Sequence, residues 1–301
     1  MSDMAMPSLV SFGEALTDLV TNGVGGFRAL CGGAPWNVAR ACGSLGLRAA
    51  WAGAVSTDSF GDALVAESRA AGLDERFIQR VHDRPPLLAV VDRLDPPHYF
   101  FIGERSADLA FDPGLLPPGW AGQARWALFG GISLVREPLG TTLESVAESL
   151  PPSVRIAFDP NHRALMRPAD LPRLERFVRR ASVVKVSDED LRGYWPDQAP
   201  DVALTALRML NPDATWLYTQ GADGMTLIAP GHPPVSRAPK PVRVLDTVGA
   251  GDASMAGLLL ALDLGLPPEQ QLAHALAAAS IACSRAGAVA PTRAELQHAL
   301  L

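Results

Sequence analysis

Asp246-Thr247-Val248-Gly249-Ala250-Gly251-Asp252 sets three small residues at the head of an apolar helical pattern, with an acid on each side. From Asp252 to about Leu264, Met255, Leu258, Leu259 and Leu262 recur at helical spacing. The first turn of a helix presents unpaired N–H groups and a partial positive charge. Gly249, Ala250 and Gly251 carry almost no side chain, so an anion can approach those groups closely. Asp252 then adds a carboxylate beside a pocket suited to negative charge. The pairing fits transfer of a phosphoryl group to a hydroxyl whose proton the acid collects; the plainer alternative is an acid that only complements the helix dipole. A P-loop is excluded, because Asp rather than Lys follows Gly251. A dinucleotide-binding turn is excluded too: Ser254 stands at the third glycine position, and the segment lies near the C-terminus.

The 301 residues suit a single α/β unit with a small appendage. Hydrophobic residues make up 48% and charged residues 19%, the balance of a soluble globular enzyme. A net charge of −6 argues against nucleic acid and acidic membrane surfaces as partners. An anionic substrate would therefore be held by local donors. Cys31, Cys42 and Cys283 form no Cys-x-x-Cys pair, which fits a reducing cytoplasm without a disulfide framework or zinc site. Glu14 and Asp18 interrupt any early signal-like run, and no segment has the length of a membrane span. The six histidines show no metal-binding spacing.

Strands and helices alternate along the chain. Val10–Gly13, Ala49–Val55, Trp126–Phe129, Arg155–Phe158, Ser182–Val186 and Thr215–Tyr218 read as short buried strands. Between them Pro35–Leu45, Phe60–Ala71, Leu139–Leu150, Leu171–Arg180 and Val202–Leu210 read as helices. This rhythm predicts an α/β fold, a doubly wound and mainly parallel sheet with helices on both faces. Two segments break it. Asp18–Leu30, around Gly25-Gly26, and Leu87–Ile102, around Asp95-Pro96-Pro97, read as hairpins that could pair as a small β-lid. The Pro/Gly-rich stretch 230–241 reads as a loop or edge strand.

A second constellation is Gly32-Gly33-Ala34-Pro35-Trp36-Asn37, two glycines opening a helix with an amide in its first turn. With Gly13-Glu14 and Asp18 upstream, it offers carboxylate plus amide, a natural clamp for hydroxyls that both donate and accept. Asp159-Pro160-Asn161-His162-Arg163 follows a strand at the sheet edge where open α/β folds bind ligands, and Arg163 could hold a phosphate or a sugar oxygen. Lys185-Val186-Ser187-Asp188-Glu189-Asp190 follows the next strand; it reads equally as an orienting site for hydrated magnesium or as an acidic helix start. Thr219-Gln220-Gly221-Ala222-Asp223-Gly224 reads equally as a hairpin or a nucleotide-side loop.

In this order the segments resemble the ribokinase-like (PfkB) carbohydrate kinase family, over roughly Ser8 to Arg293, and the Gly-Gly-Ala-Pro form looks most like its bacterial fructokinase branch. The resemblance implies a three-layer α/β/α sandwich in a single domain, with a β-lid built from two insertions at about 18–31 and 86–106. It also implies ATP as donor, Mg2+, and in many members a monovalent cation such as K+. By the match, Asp252 is the base and Gly249, Ala250 and Gly251 the anion hole. Asp18, Gly33 and Asn37 match the sugar side, and Asn161, Arg163, Thr219 and Gly221 the phosphate and nucleotide side; Arg105 and Arg163 are further candidates for the sugar, and Lys185 and Gly224 for the nucleotide. Asp190 matches a water-mediated magnesium position. Asp246 and Val248, with a later loop near Ala286–Ala290, match the monovalent-cation segment. Several members dimerise through their lids. The chain departs from the pattern at Ser187-x-x-Asp190, where the family has Asn-x-x-Glu, and at Gly103-Glu104, which displaces Arg105.

The expectation is a cytoplasmic, ATP-dependent sugar kinase converting fructose to fructose 6-phosphate. Two rivals stand beside it: a kinase for 2-keto-3-deoxygluconate, another keto-sugar or a nucleoside, and an inactive sugar-binding regulator that kept the fold.

Overall fold

The structure, a computed structural model, describes residues 5–23, 25–94 and 97–301. The chain opens with β1 (Leu9–Phe12), then β2 (Leu16–Thr21) and β3 (Phe27–Gly32), and α1 (Ala34–Ser44) follows. Next come β4 (Ala49–Ser56), α2 (Ser59–Ala70) and β5 (Ile78–Val81), then β6 (Leu88–Leu94) and β7 (Pro97–Ile102). The middle of the chain alternates: β8 (Trp126–Gly130), α3 (Leu139–Ser149), β9 (Arg155–Asp159), α4 (Leu171–Arg180) and β10 (Val183–Ser187). After it lie α5 (Asp188–Tyr194), α6 (Pro200–Leu210), β11 (Thr215–Thr219), β12 (Met225–Ile228) and β13 (Val235–Arg237). Helices α7 (Ala250–Asp263), α8 (Pro268–Cys283) and α9 (Arg293–Leu300) finish it.

Among the described residues the main sheet has nine strands in the order β13-β12-β11-β10-β9-β8-β1-β4-β5. It is parallel from β11 to β5, and antiparallel pairing adds β12 and β13 at one edge. Side chains of a strand alternate between faces, and here both faces are covered. Val10, Phe12, Ala127, Phe129, Ile156 and Phe158 join one core with residues of α3, α4 and α6. Leu9, Trp126, Leu128 and Ala157 join the other with α1, α7 and α8. The expected three-layer α/β/α sandwich is therefore what forms. Helices α8 and α9 and strands β5 and β12 were not expected. Helix α8 is Ala-rich and widely buried, so it shows no clear apolar stripe. Strand β13 is the edge strand foreseen within 230–241.

The two expected hairpins, β2–β3 and β6–β7, join in a second, four-stranded sheet in the order β3-β2-β6-β7, the small lid. The pairing that unites them, β2 with β6, is parallel. Of the expected turn Asp95-Pro96-Pro97, Asp95 and Pro96 lie outside the described residues. On the sheet face carrying Asp18 stand its register partners Leu30 and Ala89. The opposite face leaves Phe27, Phe100 and Ile102 about half exposed. Among the described residues no helix is long and apolar enough to cross a membrane.

The aromatic centre of the first core is a stack: Phe12 lies on Phe129 at 5.0 Å, and Phe129 meets Phe177 at 5.3 Å. Truncating a fully buried ring removes its transfer energy and leaves a cavity, together about 3–5 kcal/mol. Phe129→Ala is therefore expected to lower the unfolding free energy by that amount, read as a lower urea midpoint; a midpoint equal to wild type would remove this stack from the stabilising core.

Candidate active site

Helix α7 begins at Gly249, which caps it with φ 78, and Asp252 falls in its first turn. The N–H groups of Gly251 and Asp252 have no acceptor among the described residues, whereas that of Ala250 donates to the carbonyl of Thr247 at 3.2 Å. Ala250 thus contributes its amide to its own turn. The remaining donors keep the anion-binding character expected of a helix start.

Asp252 is buried, and its Oδ2 accepts from Asn37 Nδ2 at 2.9 Å, across 215 residues of sequence. That bond joins the first turns of α1 and α7, so the two motifs form one site. Asn37 Oδ1 is buried with no partner among the described residues. An orphaned buried acceptor is costly unless a ligand donor reaches it. Burial, with Asp159 adding repulsion, pushes the Asp252 carboxyl up to about 6 against the pull of Asn37, Lys185 and Arg163. Burial likewise pushes Asp18 up to about 6, and Arg163 again opposes the rise. Arg163 is therefore near enough to act on both carboxylates, Asp18 of the lid and Asp252 of the core.

Beneath the helix start, Lys185 is 4% exposed and donates to both oxygens of Asp159, at 3.0 and 2.9 Å. The register of β10 on β9 pairs Val184 with Phe158, which sets Lys185 beside Asp159. A Cβ on Gly251 would stand 3.1 Å from Lys185 Nζ, so the ammonium lies against the glycine turn. Burial works against its charge, yet Asp159, Asp190 and Asp252 around it raise the ammonium above its usual range.

Other expected residues are placed differently. Arg163 Nη1 is drawn onto its own loop by Asn161 Oδ1 at 2.6 Å and the His162 carbonyl at 2.7 Å. Asn161, at φ 44, thus orients Arg163 with its side-chain oxygen. Asp190 forms the acidic helix start: its Oδ2 accepts from Ser187 N–H at 2.7 Å in a capping box, and its Oδ1 from His162 N–H at 2.6 Å. Each carboxylate oxygen keeps a further lone pair for a water. Gly224 has a packing reason of its own. A Cβ there would collide with the Arg237 carbonyl of β13, so hairpin packing explains this glycine. The segment from Thr219 to Gly224 is the turn of the antiparallel β11–β12 hairpin, with the side of Gly221 open.

Arg105 lies exposed in the turn after β7. Beside it Arg136 binds the Gly103 carbonyl at 2.7 Å, Ser106 Oγ at 2.8 Å and Asp108 Oδ2 at 3.1 Å. No sequence cue points to Arg136, because its partners come from a different loop. Asp246 accepts from Val248 N–H at 3.0 Å and Gly287 N–H at 2.8 Å, drawing the 246–248 and 286–290 segments together. A shallow depression of about 200 Å³ between them and α1 is lined by Asn37, Gly249, Asp252 and Ala288–Ala290.

The pfkB family carbohydrate kinase description matches residues 6–295. The chain is 32% identical over 307 residues to a fructokinase of Klebsiella pneumoniae, covering 96% of this chain and 97% of that protein. It is 33% identical over 265 residues to a fructokinase of Rhizobium leguminosarum bv. trifolii, covering 84% and 78%. Among solved structures it resembles a fructokinase from Vibrio cholerae O395 bound to fructose, ADP and calcium ion, at TM-score 0.86 and 26% identity over 98% of this chain and 99% of that one. It also resembles an aminoimidazole riboside kinase from Salmonella enterica complexed with aminoimidazole riboside and an ATP analog, at TM-score 0.85 and 25% identity over 97% and 99%. A match across nearly the whole chain, with both site motifs joined in space by the Asn37–Asp252 bond, makes this protein a member of the pfkB family of carbohydrate kinases.

Proposed function

We propose that this protein transfers the γ-phosphoryl group of ATP to the primary hydroxyl of fructose, giving fructose 6-phosphate and ADP. The observation that carries the reading is the buried Asp252 carboxylate in the first turn of α7, held by Asn37 beside N–H groups without protein acceptors. The sugar hydroxyl attacks the terminal phosphorus, the bond from phosphorus to the bridging oxygen breaks, and the hydroxyl proton passes to Asp252. The transition state is loose, so the proton leaves late and a carboxylate suffices as base. Gly249, Gly251 and the charge of Lys185 face the transferring phosphoryl group, while Asp18, Gly33, Asn37 and Arg163 hold the sugar. Lid closure excludes water that would otherwise hydrolyse ATP.

Asn161, Thr219 and Gly221 border the nucleotide side of this reading. Among the described residues no group of three His, Cys, Asp or Glu side chains could hold a metal ion. That fits magnesium arriving on the nucleotide phosphates with most of its waters, as this ion prefers; bound there it neutralises phosphate charge. Asp159 and Asp190 would face it through water. The bond from Asp246 to Gly287 supports K+ between the 246–248 and 286–290 segments. Free cysteines and the need for ATP support a cytoplasmic location. The half-exposed Phe27, Phe100 and Ile102 on the outer lid face support a homodimer formed by two lids.

Asp252→Asn is expected to lower kcat by at least about a hundredfold, the contribution of a positioned base, while ATP binding by calorimetry is retained. Turnover within tenfold of wild type would remove Asp252 from the role. The companion experiment measures ADP release with fructose, 2-keto-3-deoxygluconate, ribose, inositol and adenosine, with and without potassium. Preference for an acid or a nucleoside would overturn fructose, and sugar binding without ADP release would mark a regulator.

The pH dependence has a definite sign. Turnover falls as pH drops through about 6, where Asp252 and Asp18 take up protons. Stability runs the other way. A carboxyl raised by burial favours the fold below its unfolded value of about 4, and that benefit is lost as pH rises through the folded value. Asp252→Asn is thus expected to gain stability relative to wild type between about pH 4 and pH 7 in thermal melts; parallel curves would refute the raised pKa. Replacing Phe27 and Phe100 with Ser is expected to shift sedimentation from dimer to monomer, and a monomeric wild type would exclude the lid interface.

A further inference from the structure

We propose that Glu14 is a positioning residue: anchored on the loop after β8, it holds the root of the lid so that Gly33 and Asn37 stay in register with Asp252. The proposal rests on reading the Asn37–Asp252 site as the acceptor-sugar site. Glu14 lies between β1 of the core and β2 of the lid and is 2% exposed. Its Oε2 accepts from the Ser133 N–H at 3.1 Å and from the Ser133 hydroxyl, 119 residues away in sequence. Burial pushes its carboxyl up to about 7, against the pull of those hydrogen bonds. On the other side of the Ser133 turn a Cβ on Gly131 would run into the Glu14 carboxylate. The Glu14 carbonyl, in turn, lies 2.6 Å from where a Cβ on Gly33 would stand, and Gly33 has φ 113.

From Gly33 the contacts lead to the chemistry. Gly33 caps α1, and its carbonyl accepts the Asn37 N–H at 2.8 Å. Asn37 Nδ2 then donates to Asp252. The strand that starts just after Glu14 carries Asp18. Both ends of the β2–β3 hairpin therefore meet the core at one point, and the Glu14 carboxylate, bound to Ser133, fixes that point. Removing a group so buried would disturb the packing around it in any case. A positioning role predicts in addition a selective loss of sugar recognition.

Glu14→Ala is expected to raise KM for the acceptor sugar by about tenfold or more, as a misplaced binding group does, with KM for ATP within about twofold. Glu14→Gln, which keeps an acceptor oxygen, is expected to recover most of that loss. Ser133→Ala should act in the same direction, and adding it to Glu14→Ala should cause no further loss, because one contact is removed twice. Amide hydrogen exchange over residues 33–37 should quicken in Glu14→Ala while α8 is unaffected. Should Glu14→Ala fail to fold, Ser133→Ala and Glu14→Gln carry the same comparison. Equal rises in both KM values, additive losses, or unchanged exchange at 33–37 would overturn the proposal. A wild type that phosphorylates no sugar would instead sink the reading of the site, and the exchange measurement would still decide the role of Glu14.

Discussion

A desolvated carboxylate at the head of a helix is tolerable only where its charge is balanced. In this protein Asp252 is balanced by the amide of Asn37 and by the nearby charges of Lys185 and Arg163. Each comes from a different part of the chain: Asn37 from α1, Lys185 from β10, Arg163 from the loop after β9. The sandwich has to bring α1 and α7 together on one face of the sheet, and the strand ends of β9 and β10 beneath them. The order of the central strands does this, since parallel strands collect all their C-terminal ends at one edge.

The arrangement also separates roles. Core elements hold Asp252 and its glycine turn, whereas Asp18 belongs to the lid sheet. A ligand that meets both must bridge the two sheets. Arg163 stands between them electrostatically, lowering both carboxyls against the effect of burial. Its reach is set by Asn161 and by the backbone of its own loop, and that loop is in turn pinned by Asp190.

Much of this was legible in the residues, because it rests on local grammar. The glycine turn before a helix, the paired glycines before Asn37 and the run of buried strands each follow from spacing and residue size. What escaped depends on strand register and loop packing. Nothing near Lys185 in sequence names Asp159 as its partner; only the pairing of Val184 with Phe158 does. Asp190 shows the same limit: an acid after a strand can face an ion or cap a helix, and only the positions of the Ser187 and His162 N–H groups reveal the cap. Gly103-Glu104 displaces Arg105 from the end of the aromatic lid strand, and the Gly103 carbonyl there is bound by Arg136 from a distant loop.

The buried pair of Lys185 and Asp159 has an effect outside catalysis. These two residues face each other only in one alignment of β9 and β10. A slip of β10 by one residue would turn Lys185 to the opposite layer and leave its ammonium among Phe158 and its neighbours without a counter-ion. Hydrophobic strands as uniform as these offer several alignments of similar burial, and the ionic contact sets the native one apart from the rest.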